Sequence, residues 1–301
     1  MSFIGILLLA VSAGMHAGWN LVCKARHPSA AFFLLATGTV CVVLAPVVCW
    51  HAPVLPRLPG AVWALLAATG ITQAVYYTAL GNAYRETEVS IAYPLARALP
   101  VILIPAVTLV LGLGKPLTMT AVGGMAVVAA GCVILPLPPW RTLGWGMFWR
   151  RGYLFILVAA AGTTAYTIID SEALRLLRGS GLVGGRLANA LLYVALENLC
   201  ILPFLAAYLG WHAGERRQLR ILLREAWRYP VVAGLVCTAA YTLVLVAMGL
   251  ASNVSYVMAF RQLSIPIGAG LGVWLLREPG TPAKVVGVCL ICAGLAVVAC
   301  R

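Results

Sequence analysis

The chain has 301 residues, of which 62% are hydrophobic and 10% charged. An ordinary soluble domain carries roughly 25% charged residues, so this composition excludes a soluble enzyme and a disordered chain. A net charge of +13 would indicate nucleic-acid binding in a soluble protein. Here most basic residues fall in short loops between apolar runs, as is usual in membrane proteins. We therefore expect a multi-pass membrane protein with no nucleic-acid partner.

Apolar stretches of about 20 residues recur along the whole chain, and each can cross a bilayer core of about 30 Å as a helix. They predict an all-α integral membrane protein with ten transmembrane helices, at approximately 3–23, 30–50, 60–82, 90–113, 117–136, 153–174, 187–209, 230–250, 253–276 and 282–300. The long connection at 210–229 has arginines and leucines at helical spacing. It is either a short amphipathic helix on the membrane surface or a solvated loop.

Residues of the first half recur in order in the second half. GKPLTMTAVGGMAVVAAG (114–131) resembles REPGTPAKVVGVCLICAG (277–294), and at constant spacing Pro116, Thr118, Gly124 and Gly131 match Pro279, Thr281, Gly287 and Gly294. We therefore predict a first five-helix repeat at 1–136, a connecting loop at 137–152 and a second five-helix repeat at 153–301. Because five is odd, the two repeats have inverted topology, which is common in secondary transporters and places the substrate site near the bilayer midplane.

Polar and ionisable side chains inside a span should face the bundle interior or a cavity, since lipid exposure is costly. Helical spacing groups them into stripes, and Tyr76 and Tyr241 occupy equivalent places in the two repeats. Three prolines in the fourth span, Pro94, Pro100 and Pro105, predict a broken helix whose free backbone groups help to bind substrate. The predicted substrate-binding residues are His16, Trp19, Asn20, Tyr76, Tyr77, Tyr93, Arg97, Tyr166, Tyr241, Arg261 and Gln262.

Arginine stays charged when buried, and its planar fork suits a carboxylate or a phosphate. Arg97 and Arg261 could therefore contact an anionic substrate group, or they could pair with acids of the protein. Glu197 is the carboxylate placed deepest by sequence, whereas Asp170 lies toward the end of its predicted span. Glu197 is then either a proton carrier or the counter-ion of an arginine, and His16 is the second candidate for proton coupling.

A catalytic reading has little support, because three of the four histidines lie in or near loops and no phosphate-binding loop motif occurs. The nine cysteines fall in or at the ends of apolar runs, where cysteine behaves as a small hydrophobe. We therefore expect no enzyme activity, no metal and no cofactor. A membrane-embedded lipid-modifying enzyme is the alternative from another class.

The two repeats, the HAGWNLVCK stretch in span 1, the YPLAR stretch in span 4 and the Glu-Pro before the last span resemble the drug/metabolite transporter superfamily. The similarity is to its ten-helix EamA-type branch, and it covers essentially the whole chain. This resemblance implies a transporter, mostly an exporter of amino acids and other metabolites, proton-coupled in some members, with both termini in the cytoplasm. The distribution of basic residues among the loops predicts the opposite orientation under the positive-inside rule.

Together these arguments predict a secondary active transporter that exports small metabolites such as amino acids by alternating access. A lipid-linked or nucleotide-sugar carrier is the second interpretation within transporters. We expect the protein in the inner (cytoplasmic) membrane, as a monomer or weak homodimer. Its expected partners are a small-molecule substrate and membrane lipids.

Overall fold

A computed structural model describes residues 2–24, 29–87, 89–135, 151–275 and 280–300. At 19–24, 89–91, 93, 272 and 275 it describes the backbone alone. Most of the predicted connecting loop at 137–152 therefore lies outside the described residues, as does the Glu-Pro pair before the last span.

The described part of the chain is all-helical and contains no strand. The helices are α1 (Phe3–Lys24), α2 (Ala30–Trp50), α3 (Gly60–Glu86), α4 (Val89–Val110), α5 (Met119–Ile134), α6 (Arg151–Gly179), α7 (Arg186–Trp211), α8 (Ala213–Ile221), α9 (Arg228–Met248), α10 (Val254–Arg261), α11 (Ser264–Leu275) and α12 (Pro282–Ala299). Nine of the predicted spans coincide with one helix each, and the span at 253–276 is divided between α10 and α11.

Five of the described helices, α2, α6, α7, α9 and α12, are each long and apolar enough to cross a membrane. Shorter apolar stretches occupy Phe3–Gly18, Pro94–Val110 and Met119–Ile134. The surface agrees with this, since large apolar side chains such as Val42 and Leu109 are exposed while Asp170 and Glu197 are fully buried. Extensive apolar exposure combined with buried carboxyl groups is unfavourable in water and suits a lipid environment.

Helix contacts between the two predicted repeats occur in equivalent pairs. In chain order, the helices α1, α2, α3, α4 and α5 correspond to α6, α7, α9, α10 with α11, and α12. Helix α3 packs on α6 as α9 packs on α1, and α3 packs on α7 as α9 packs on α2. Helix α4 contacts α6 as α10 and α11 contact α1, while α2 pairs with its equivalent α7 and α5 with its equivalent α12. Most of these contacts join one half of the chain to the other, so neither half forms a separate bundle.

The contact between α5 and α12 depends on glycine. A Cβ added to Gly131 would lie 2.7 Å from the carbonyl oxygen of Gly287, and one added to Gly124 would lie 2.9 Å from that of Gly294. Only glycine lets two helix backbones approach so closely. Because rising residue numbers on α5 meet falling numbers on α12, the two equivalent helices run antiparallel.

The predicted break of the fourth span by its prolines is wrong. Helix α4 is one continuous helix through Pro94, Pro100 and Pro105, since neighbouring helices can compensate for the backbone groups that proline leaves unpaired. The break falls in the second repeat, where Gln262 and Leu263 separate α10 from α11. Pro266 has no N–H for the Gln262 carbonyl, which instead accepts a bond from Ile265 N at 2.9 Å.

The segment after α7 is helical, which resolves the alternatives for 210–229 in favour of a helix. Helix α8 is followed by a short π-helical segment, Leu222–Ala226, and then by α9. Glu215 is the buried residue of α8 and pairs with Arg85 at the end of α3. Its other oxygen accepts a hydrogen bond from Ala31 N at 2.9 Å, so α8 is attached to the start of α2.

Candidate functional site

A cavity of about 690 Å³, counting the space open to solvent, lies among helices of both halves. Eight of the predicted site residues line it: His16, Tyr76, Tyr77, Arg97, Tyr166, Glu197, Tyr241 and Arg261. Helical spacing also places Gln73 on α3 in one stripe with Tyr76 and Tyr77, and Gln73 lines the cavity too. The sequence did not single out Phe33 on α2, Tyr84 on α3 or Asn198 on α7, which form part of the same wall. Residues far apart in the sequence thus form one polar chamber inside an apolar bundle.

The other predicted site residues are placed differently. Gln262 is fully buried outside the cavity, and its amide nitrogen donates to the Met258 carbonyl at 3.0 Å. Gln262 follows Arg261 directly, so the two side chains leave the chain about 100° apart and reach different surroundings. The side chains of Trp19, Asn20 and Tyr93 lie outside the described residues.

An aromatic wall runs along one side of the cavity. Phe33 stacks on Tyr77 with ring centroids 4.5 Å apart, and Tyr77 is 5.3 Å from Tyr76. Tyr76 meets the edge of Tyr166 at 5.5 Å, which in turn lies 6.2 Å from Tyr241. These rings come from α2, α3, α6 and α9, so both repeats build the wall.

Two arginines place positive charge in the cavity. Arg97 Nη2 donates to the Ser264 hydroxyl at 2.9 Å, which joins α4 to the start of α11. The Arg261 guanidinium lies over the Tyr241 ring, 5.4 Å from its centroid, and has the Tyr166 hydroxyl within hydrogen-bonding reach. Arg261 Nε and Nη1 have no hydrogen-bond partner among the described residues. His16 lies close enough to interact electrostatically with both arginines.

Two carboxyl groups lie next to each other at the cavity wall. Glu197 lines the cavity, accepts a hydrogen bond from the Gln73 amide and lies beside Asp170. Asp170 is buried behind the wall, where Thr69 and Tyr193 donate to its Oδ1 at 2.6 and 2.7 Å. The Tyr241 hydroxyl donates to Asp170 Oδ2. Sequence reasoning left Asp170 out of the site because it ended this span at 174, whereas α6 continues to Gly179.

Hydrogen bonds between two loops close one end of the bundle. Lys115 N donates to the Ser252 carbonyl at 3.0 Å, and the Asn253 amide donates to the Leu113 and Lys115 carbonyls at 3.3 and 3.0 Å. These bonds join the α4–α5 connection to the α9–α10 connection, which occupy equivalent positions in the two predicted repeats. The contact is made by backbone carbonyls and one amide side chain, so it can be broken without burying a charge.

Comparisons with known proteins establish the fold and no more. No protein-family model and no curated protein matches the chain. Among solved structures 27 chains match. One of them, described only as "Crystal structure of protein", is similar over 99% of this chain and 96% of its own length, with a TM-score of 0.66 and 19% identity. The chain therefore shares its helical fold with a solved structure over nearly its whole length. Within the described residues, no group of three or more His, Cys, Asp or Glu side chains could hold a metal ion.

Proposed function

We propose that this protein is a secondary active transporter that works by alternating access, with ten membrane spans arranged as two inverted five-helix repeats. The exchange of packing partners between equivalent helices and the antiparallel α5–α12 pair support the inverted arrangement. Rocking one repeat against the other would expose a central cavity to each side of the membrane in turn. The EamA-type resemblance and the inner-membrane location belong to this proposal.

The observation that carries the proposal is the buried cavity between the repeats, which holds Arg97 and Arg261 within a tyrosine wall. A permanently charged group inside an apolar bundle is costly to bury and is expected where a ligand or an ion is handled. The guanidinium fork suits a carboxylate or a phosphate. The proposed cargo is therefore a small metabolite with such a group, the class to which amino acids belong, and export is the proposed direction.

The test of a carrier is counterflow. The full chain is reconstituted in liposomes loaded with unlabelled amino acids or organic acids, and uptake of the matching labelled compound is followed. A carrier gives saturable uptake with a transient accumulation above equilibrium, since the loaded compound exchanges through the same site. Uptake that rises linearly with concentration and shows no accumulation would contradict the carrier and favour a pore.

Arg97 can be separated from the surface arginines in the same assay. In Arg97→Lys the charge remains but the fork is lost, and we expect transport to fall by about tenfold or more. The matched control is Arg217→Lys on the exposed face of α8, which should transport as the unmodified protein does. Equal losses in the two variants would refute the assignment of Arg97 to the substrate site.

A further inference from the structure

The polar groups of the cavity differ in how many hydrogen-bond partners they have. Asp170 already accepts hydrogen bonds from three hydroxyl groups, those of Thr69, Tyr193 and Tyr241. Glu197 Oε1 accepts from the Gln73 amide. By contrast, two guanidinium nitrogens of Arg261, Nε and Nη1, have no hydrogen-bond partner among the described residues. The chamber therefore offers hydrogen-bond donors to a ligand, whereas three of the four oxygens of its carboxyl pair already accept hydrogen bonds.

One carboxylate oxygen remains to be explained. Glu197 Oε2 is fully buried and accepts no hydrogen bond from any described residue. Glu197 nevertheless lies beside Asp170, because it follows by one helical turn Tyr193, whose hydroxyl donates to Asp170 Oδ1 at 2.7 Å. Two ionised carboxylates would repel strongly in such a place, and pairs of this kind share one proton. A proton on Glu197 Oε2, donated to the Asp170 carboxylate, satisfies the orphaned oxygen and removes the repulsion.

We propose that the cavity binds an organic anion together with one proton, the anion at Arg97 and Arg261 and the proton on the Asp170–Glu197 pair. A carrier with this site moves the anion and the proton in the same direction, so the outward gradient of the anion, and not an inward proton gradient, would drive the proposed export. The inference rests on the proposed transporter function and adds to it a substrate charge and a direction of coupling.

The charges of the described side chains give the sign of the coupling. A proton on the pair adds one positive charge to the chamber, and a monoanion at the arginines offsets it. When the pair loses its proton, the second carboxylate charge repels an arriving anion. Anion and proton therefore favour each other's binding, and by linkage the effect is reciprocal.

This arrangement suits a net anion better than a zwitterion. The ammonium group of an amino acid needs hydrogen-bond acceptors or a free carboxylate, and the carboxylate oxygens of this wall are committed to Thr69, Tyr193, Tyr241, Gln73 and each other. The tyrosine wall next to the arginines fits an apolar or aromatic body. The inferred ligand is therefore an organic monocarboxylate with such a body.

Other titratable groups surround the pair and could also respond to pH. They are Tyr193 and Cys200 on α7, Tyr241 and Cys237 on α9, Tyr76 and Tyr77 on α3, Tyr166 on α6, Arg261 on α10, Arg97 on α4 and His16 on α1. Tyrosine, cysteine and arginine ordinarily stay protonated at neutral pH, which leaves His16 as the group to separate from the pair. Its imidazole lies near both arginines, so the experiment includes a His16 variant.

The shared proton is tested first, without any ligand. The infrared spectrum of the purified full chain should show, at neutral pH, the C=O stretch of a buried protonated carboxyl group that shifts in deuterium oxide. Glu197→Gln should remove this band, while its amide can still donate to Asp170 and preserve the fold. Glu172→Gln, on the exposed side of α6, should leave the band intact. Absence of the band from the unmodified protein would overturn the shared proton.

The coupling is tested with benzoate, which stays ionised between about pH 6 and about pH 8. Calorimetry on the full chain should show a constant affinity at pH values where the free pair keeps its proton. At higher pH, where the infrared band of the free protein is lost, the affinity should fall by up to about tenfold per pH unit, with up to one proton taken up per benzoate bound. Glu197→Gln should bind benzoate with no pH dependence, whereas His16→Gln should retain it. Phenylalanine should bind more weakly than benzoate.

The outcomes distinguish this inference from the proposed function. A benzoate affinity that stays constant at pH values where the free protein has lost the infrared band, or a slope that survives Glu197→Gln, would overturn the coupling. A slope lost in His16→Gln alone would assign the proton to His16. If counterflow succeeds with zwitterionic amino acids while benzoate does not bind, the transporter remains and the inferred anion is wrong. If counterflow fails with every compound, the proposed function itself fails.

Discussion

Two buried regions of the molecule are held together by different means. At the α5–α12 interface, glycines bring two backbones into contact and the surrounding side chains, such as Val128 and Ile291, are apolar. Among α3, α6, α7 and α9, the buried contacts include a carboxyl pair, three hydroxyl donors and an amide. The stability of the first region depends on the small volume of its glycines. The stability of the second region depends on the hydrogen bonds between its polar groups.

The contrast shows how a membrane bundle can combine a fixed contact with a chemically responsive one. Lipid gives little hydrophobic driving force between helices, so close approach and interhelical hydrogen bonds provide most of the specificity. A glycine contact has no titratable group and does not change with pH or ligand. A polar cluster does change, because its energy depends on where protons and charges lie.

The largest effect on stability is expected from Asp170→Ala in the polar region. It leaves the hydroxyls of Thr69, Tyr193 and Tyr241 buried without their acceptor, and we expect a loss on the order of 3 kcal/mol in the free energy of unfolding. Unfolding in mixed micelles measures the loss. Glu172→Ala is the control on the same helix, since its partner Arg175 is exposed and the pair is solvated. Similar losses in both variants would show that the hydrogen bonds of the three hydroxyls to Asp170 add no measurable free energy of unfolding.

A smaller loss is expected from Gly131→Ala at the interface of α5 with α12. The new Cβ would lie 2.7 Å from the Gly287 carbonyl oxygen, so the helices must separate, at a cost of about 2 kcal/mol. Gly123→Ala on the same helix meets no atom within 4 Å and should be neutral or slightly stabilising, because alanine favours helix. The loss should be independent of pH, and a pH-dependent loss would remove the distinction between the two regions.

The smallest effect is expected at the end of the bundle, from Glu215→Gln. This change removes the ion pair with Arg85 and weakens the bond from Ala31 N. Because Arg85 is partly solvated, we expect about 1 kcal/mol or less, seen as a small decrease in melting temperature in detergent. Glu225→Gln, exposed in the π-helical segment, is the matched variant and should cause no decrease. A loss as large as that of Asp170→Ala would mean that α8 contributes more to the fold than its contacts indicate.

The sequence predicts the helices well because a helix that crosses the hydrocarbon core of about 30 Å needs about 20 consecutive apolar residues, and such runs are easily recognised. It also identifies half of the residues that line the cavity, since a stripe of ionisable or tyrosine side chains inside a span avoids lipid by facing the bundle interior. Arg97, Glu197 and Arg261 are predicted by this argument, and they line one cavity.

The features that sequence analysis missed depend on how helices are rotated and where they end. Asp170 and Glu197 lie on different helices, and only packing brings them together. Gln262 has the polarity of a site residue, but its position at the α10–α11 break turns it toward the Met258 carbonyl. Prolines do not predict the break, since three of them are tolerated within α4 where neighbours can compensate.

The exchange of packing partners between the halves has a consequence for biosynthesis. Helices α1, α2 and α5 find their main partners in α9, α7 and α12, which are translated much later. In the proposed ten-span arrangement, the first five helices would enter the membrane while His16, Gln73 and Arg97 lack their final surroundings. Intermediates that expose such groups are prone to misassembly.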